Sequence, residues 1–301
     1  EELLVRRLAT LMHHPKAGGY ATSGGTESNI QAFRIAKKQK PVESPNVVVP
    51  ASSHFSFQKA CDILGLAMRT APLDTHFRVD AEAVESLVDK DTVCIVGIAG
   101  TTEYGTVDPI AHLADVALDR DIFLHVDAAF GGMVVPFLDR PIPFDFHLPG
   151  VDSLSVDPHK MGMSTIPAGC LLVRNPEQFS CLNVDTPYLT VKRECTLAGT
   201  RPGASVAAAF AVLEYLGMDG MRAVVAGCME NTRRLVEGME TLGHERAVTP
   251  DVNVATFSCS RAPAGWRVST TRAGHMRVVC MPHVTRDVIE AFLKDMSDMH
   301  A

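Results

Sequence analysis

Between residues 22 and 174, short apolar runs alternate with segments whose apolar positions recur every three or four residues. The runs at 47–50, 67–71, 93–98, 122–127, 153–156 and 170–173 have the length and bounding turns of strands. The intervening segments at 27–39, 57–64, 81–88 and 110–120 have helical spacing. Strand followed by helix, repeated, predicts a layered α/β architecture on a mostly parallel sheet. Residues 1–12 read as a further helix with Leu3, Leu4, Leu8 and Leu11 on one face, so the chain is expected to begin inside a longer protein. Beyond Pro202 the texture changes to an apolar helix at 205–216, a long amphipathic helix at 221–242, short strands near 252–258 and 276–280, and a closing helix from Arg286. A large domain over 1–217 and a smaller α+β domain over 218–301 are therefore expected.

Composition narrows the function classes. With 46% apolar and 21% charged residues, the balance is that of an ordinary globular protein. The net charge of −7 comes without a basic stripe, which excludes the electrostatics that nucleic-acid binding requires. The eight cysteines are dispersed, with no C-x-x-C pair and no His at zinc-ligand spacing, and read as reduced thiols of a cytoplasmic protein. No uninterrupted apolar run reaches the roughly 18 residues of a membrane span, and no basic-then-apolar leader opens the chain. Neither a membrane role nor a metal is expected.

Four stretches carry candidate chemistry. Ser23-Gly24-Gly25-Thr26-Glu27-Ser28-Asn29 opens a helix, where glycines admit an anion to backbone amides and the dipole favours it, although such a loop is more often a plain turn and N-cap. It matches neither common nucleotide-binding pattern. His125-Val126-Asp127-Ala128-Ala129-Phe130-Gly131-Gly132 puts an acid at the end of an apolar strand, where open α/β sheets hold ligands and where capping aspartates also occur. Asp157-Pro158-His159-Lys160-Met161-Gly162 leaves a strand through a turn that points Lys160 inward, against the usual expectation of a solvated lysine. His54 follows the strand at 47–50; it is either structural or placed to stack on a flat ring. An acid and an amine of this kind are what pyridoxal phosphate (PLP) needs: a carboxylate to keep its pyridine nitrogen protonated, and a lysine to bond its aldehyde.

Taken together, S-G-G-T-E-S-N, the histidine after V-V-V-P-A-S-S, H-V-D-A-A-F-G-G and D-P-H-K-M-G resemble the group II PLP-dependent decarboxylases of the aspartate-aminotransferase fold (fold type I). The likeness extends through Gly199-Thr200-Arg201-Pro202-Gly203 and Met276-Arg277-Val278-Val279-Cys280-Met281-Pro282-His283-Val284-Thr285, and is greatest to the archaeal branch acting on tyrosine and aspartate for methanofuran and coenzyme A synthesis. It implies a seven-stranded-type, mostly parallel sheet domain with a small C-terminal domain. It further implies a Schiff base on Lys160, Asp127 at the pyridine nitrogen, His54 over the ring and Ala129 beneath it. Gly25, Thr26 and His159 would hold the phosphate, Thr101 would lie near the phenolic oxygen, and Arg277 is the candidate for the substrate carboxylate. Many relatives have Asn where this chain has Asp157. An anion there would repel a phosphate, so no phosphate role is expected of it. The resemblance also implies a homodimer with the active site at the subunit interface, and an N-terminal segment of the family that these residues lack. Two other readings stay open: a PLP-dependent carbon–carbon lyase of the sphingosine-phosphate type, and a PLP-binding protein without turnover.

Overall fold

In the computed structural model, which describes residues 1–299, the elements run α1 (Glu2–Leu11), β1 (Gly18–Thr22), α2 (Gly25–Gln39), β2 (Asn46–Pro50), α3 (Ser56–Leu64), β3 (Ala67–Ala71), α4 (Ala81–Leu87), β4 (Thr92–Ile98), α5 (Ile110–Arg120), β5 (Phe123–Asp127), β6 (Ser153–Val156) and β7 (Gly169–Val173). There follow the short strands β8 (Val184–Asp185) and β9 (Arg193–Glu194), the long helix α6 (Gly203–Thr241), β10 (Val254–Phe257), β11 (Ser269–Thr270), β12 (Met276–Val279) and α7 (Arg286–Asp298). Strands β1 to β7 form one sheet in the order β1-β7-β6-β5-β4-β2-β3, and every strand except β7 runs the same way. This is the seven-stranded, mostly parallel α/β sheet expected.

Parallel strands buried on both faces must be apolar along their whole length, and β2, β4, β5, β6 and β7 are buried throughout. Alternate side chains then face two separate cores. Val48, Ile95, Leu124, Val126, Leu154 and Leu172 meet α1, α5 and the first part of α6 on one side. Val47, Val49, Cys94, Val96 and Leu171 meet Phe33 of α2 and Phe57 of α3 on the other. Each fully buried aliphatic side chain of this kind contributes about 1.5–3 kcal/mol relative to exposure, which is why the middle of the sheet is a rigid platform.

The second sheet is antiparallel, in the order β10-β12-β11. It packs Ala255, Phe257 and Met276 against Leu235 and Met239 of α6 and Ile289, Phe292 and Met296 of α7. Helix α6 is two helical segments joined end to end. Gly217 takes φ 60, ψ −168 between them, a conformation that breaks the helix and that glycine adopts without steric cost. By length and apolarity α6 would be able to cross a bilayer; its buried residues recur along one stripe, with Leu213, Met221, Val225 and Cys228 packed into the main core.

Two features differ from the sequence expectation. Strand β1 is absent from it, because the run Gly18-Gly19-Tyr20-Ala21-Thr22 has two glycines and little β propensity of its own; its place comes from antiparallel pairing with β7. The buried face of α1 is formed by Leu4, Val5, Leu8 and Ala9, while Leu3 is 57% exposed. Both faces fit helical spacing, and contact with the sheet selects between them.

Candidate active site

Along β5 and β6 the residues of one parity are polar although buried: His125 and Asp127 on β5, Ser153 and Ser155 on β6, with Asp157 just beyond. The parallel register sets His125 beside Ser153 and Asp127 beside Ser155. A buried polar ladder is tolerable only if its members satisfy one another. Here α2 completes it through Asn29, whose amide nitrogen donates to Asp127 Oδ2 (3.0 Å) and to Ser56 Oγ (3.0 Å). The amide oxygen of Asn29 meets His125 Nε2 at 2.9 Å. Since that oxygen can only accept, His125 carries its proton on Nε2, and its Nδ1 accepts from Ser153 Oγ at 2.8 Å. Burial pushes the His125 pKa down to about 4 against the opposing pull of Asp127, so the ring is neutral. Asp127 Oδ1 takes two further donors, the Ala129 amide and the Ser155 hydroxyl, both at 3.1 Å. The carboxylate is thereby fixed in direction at the C-terminal end of the sheet.

Above it lies a cleft of about 460 Å³. Its floor is Ile98, Asp127 and Asp157, at or just past the ends of β4, β5 and β6, where open α/β sheets bind ligands. The walls include Gly24, Gly25, Thr26 and Asn29 from the start of α2, then Ser52, His54 and Phe55, and Ala129, Phe130, His159, Lys160 and Ile166. The structure thus brings Gly25, Thr26, His54, Asp127, Ala129, His159 and Lys160 to one cavity. The Lys160 side chain is 39% exposed and its Nζ stands 3.2 Å from Asp157 Oδ2. His54 Nδ1 accepts from the Ser56 amide (3.2 Å) and lies 2.9 Å from Ser56 Oγ, which puts its proton on Nε2. Burial lowers the His54 pKa despite Asp127 and Asp157 nearby, so this imidazole too is neutral. His159 accepts from the Ala168 amide at Nδ1 (3.1 Å), leaving Nε2–H toward Asp157 Oδ2 at 3.7 Å.

Two expected site residues are elsewhere. Thr101 is fully buried behind the wall: its hydroxyl pairs with that of Thr106 (2.8 Å) and accepts the Thr106 amide (3.1 Å), closing the loop after β4. The neighbouring Thr102 lines the cleft instead. Arg277 lies on β12 opposite Thr256 of β10, beside a groove formed with α7, and its Nε is buried without a hydrogen-bond partner. Burial there lowers its pKa, opposed by Glu103. Among the described residues lining the cleft there is no arginine. The arginine that the small sheet sends to the rim is Arg272, which donates to the carbonyls of Ala51 and Ser53 and pairs with Glu103 (3.2 Å).

Sequence reasoning also missed Asn29 and Ser155 as the groups that aim Asp127. A signal existed for each. Asn29 falls on the same helical stripe as Gly25, Ala32, Phe33 and Ala36, all buried, and a polar residue on an apolar stripe calls for a buried partner. Ser153 and Ser155 alternate with Leu154 and Val156 in the same way.

The pyridoxal-dependent decarboxylase conserved domain matches residues 1–259. A protein of Methanoculleus marisnigri named probable L-tyrosine/L-aspartate decarboxylase is 81% identical over 301 residues, covering 100% of this chain and 82% of that protein. A probable L-aspartate decarboxylase of Archaeoglobus fulgidus is 49% identical over 304 residues, covering 98% of this chain and 83% of that one. Among solved structures, the sphingosine-1-phosphate lyase of Burkholderia pseudomallei superposes with TM-score 0.88 at 28% identity, over 99% of this chain and 74% of its own. The glutamate decarboxylase of Lactobacillus brevis does so with TM-score 0.88 at 22% identity, over 98% and 78%, which speaks for the fold. With the domain matched over most of its length and relatives this similar across all of it, the chain belongs to the pyridoxal-dependent decarboxylase family.

Proposed function

We propose that this PLP-dependent decarboxylase acts on L-tyrosine, L-aspartate or both, releasing carbon dioxide and leaving tyramine or β-alanine. The observation that carries the reading is the convergence of one lysine amine and one oriented carboxylate, Lys160 and Asp127, on a single cleft at the sheet end. The choice of substrates is supported by the names of the relatives that match the whole chain.

The cleft fits the cofactor. A side-chain Cβ at Gly24 would come within 3.0 Å of His159 Cε1, and one at Gly25 within 3.0 Å of Ala129 Cβ, so these two positions form a cradle open only in the absence of side chains. Gly24 and Gly25 lead into the 15-residue helix α2, whose N-terminal dipole favours a phosphate. On this reading Gly25, Thr26 and His159 would hold the phosphate, and His54 and Ala129, which line the same cleft, would contact the ring. Bound PLP supplies an electron sink for the pair left behind when the carboxylate departs. Asp127 serves that chemistry by holding a proton at the pyridine nitrogen, and the ladder of Asn29, Ser155 and the Ala129 amide keeps it aimed there without reorganisation. Lys160 would be the amine that bonds the cofactor's aldehyde carbon. The neutral His54, with its proton on Nε2, offers a donor to substrate without adding a competing charge.

The test is product analysis from each L-amino acid with PLP present: carbon dioxide with tyramine or β-alanine is expected. A second reading, a carbon–carbon lyase, is favoured by the likeness to the sphingosine-1-phosphate lyase; release of an aldehyde from a phosphorylated amino alcohol, without carbon dioxide from any amino acid, would replace the first reading by that one. PLP held on the protein with neither product would mark a binding protein without turnover.

The homodimer belongs to the same proposal. Phe55 and Ile166 line the cleft yet are 60% and 78% exposed, and the β8–β9 hairpin carries the exposed Tyr188 and Val191, which suits a site finished by a second subunit. Sedimentation velocity should give twice the mass of one chain, and a fully active monomer at micromolar concentration refutes this part. A cytoplasmic location is proposed on the eight free thiols, five of them buried.

A further inference from the structure

One buried acid in the cleft has no part in the scheme above. Asp157 is 1% exposed. Its Oδ2 accepts the Gly25 amide at 3.0 Å, faces Lys160 Nζ at 3.2 Å and has His159 Nε2 at 3.7 Å. Its Oδ1 is buried and has no hydrogen-bond partner. Two of these contacts, the Gly25 amide and His159, are donors that a phosphate in the cradle would use, so the carboxylate of Asp157 stands in that cradle as an internal anion. A dianionic phosphate drawn to the Gly25 amide must meet it, and two anions sharing one set of donors in a buried site repel strongly.

We propose that Asp157 is a proton-switched partner of the phosphate site: as a carboxylate it occupies the cradle, and when a phosphate enters it takes up one proton and donates it from Oδ2, the oxygen that faces the cradle, to a phosphate oxygen. The inference rests on the reading that the cleft holds PLP by its phosphate. It balances simply, with one proton taken from solvent per phosphate bound and returned when the phosphate leaves. In its acid form the side chain presents an O–H donor where the carboxylate could only accept. Burial, the largest influence, raises the pKa of this carboxyl, and the like charge of Asp127 adds to it; Lys160 and His159 oppose, as does the Gly25 amide. The other titratable groups facing it are His54 from the loop after β2 and Cys170 on β7. The sign follows from a raised pKa: below it the acid form is already present and phosphate binds without penalty, and above it each binding event must draw a proton.

The experiment titrates wild type, Asp157→Asn and Asp157→Ala with pyridoxine 5′-phosphate, which has no aldehyde and leaves Lys160 unbonded. Affinity is measured from pH 5.5 to 8.5, with calorimetry in buffers of different ionisation enthalpy to count protons. Relative to Asp157→Asn, wild-type affinity should fall with rising pH by up to tenfold per unit, converge at low pH, and show one extra proton taken up. Asp157→Ala should lose the extra proton and bind more weakly than Asp157→Asn, which separates donation from mere relief of repulsion. Equal pH slopes and equal proton counts in wild type and Asp157→Asn would overturn the proposal. Borohydride reduction of wild type with PLP, followed by peptide mapping, reports separately on the reading beneath it. A PLP adduct on Lys160 sustains that reading whatever Asp157 does. With no adduct there, the cofactor reading and the proposal built on it both fall, and equal slopes beside a mapped adduct overturn the proposal alone.

Discussion

Lys160→Ala is expected to lower decarboxylation by about 10³-fold or more, since covalent anchoring of the cofactor and release of the product amine would both run through this one amine. The same variant should lose the visible absorption of lysine-bound PLP and yield no borohydride-stable adduct. The fold should persist, because Lys160 belongs to neither apolar core and its side chain is 39% exposed. An added small primary amine such as methylamine should restore part of the rate, a rescue that structural damage would not allow. Should the variant keep a tenth of the wild-type rate, or should PLP map to another lysine, the assignment of Lys160 is wrong.

Asp127→Asn is expected to cost about 10³-fold in kcat, with KM changed far less, because a ring-nitrogen proton matters mainly once charge flows into the ring. The substitution keeps the shape of the side chain and removes its charge. It also turns an N–H group toward donors: Asn29 Nδ2, the Ala129 amide and Ser155 Oγ all point at Asp127. Leaving one buried donor unmatched costs about 1–3 kcal/mol, so a fall in thermal midpoint should accompany the kinetic loss. The two effects separate in Ser155→Ala, which weakens the aim of Asp127 and leaves its charge; its loss in kcat should be much smaller. A kcat for Asp127→Asn within threefold of wild type would mean that another group protonates the ring.

Much of the fold was legible because its rules are local or periodic. The apolar runs that became β2, β4, β5, β6 and β7 are buried on both faces, and such strands must announce themselves as continuous apolar stretches. Strand β1 was not legible: a Gly-Gly start has no strand preference until β7 is beside it. The helical stripe of α1 was legible to within one residue of rotation, and only packing chose Leu4, Val5, Leu8 and Ala9 over Leu3.

In the site, the sequence by itself determined which groups were available and where along the strands they stood. Asp127 at the end of β5 and Lys160 in the turn after β6 follow from strand length and turn chemistry, and seven of the nine expected site residues line the cleft. What only the tertiary structure decided is every relation across the fold. It set Asn29 between His125 and Asp127, spent the Thr101 hydroxyl on Thr106, placed Arg277 beside α7, and delivered the carboxylate of Asp157 into the anion cradle. The physical reason is that periodicity gives the face a side chain points to but not the element packed opposite, and the direction and protonation of a buried polar group are set by the partners it meets there.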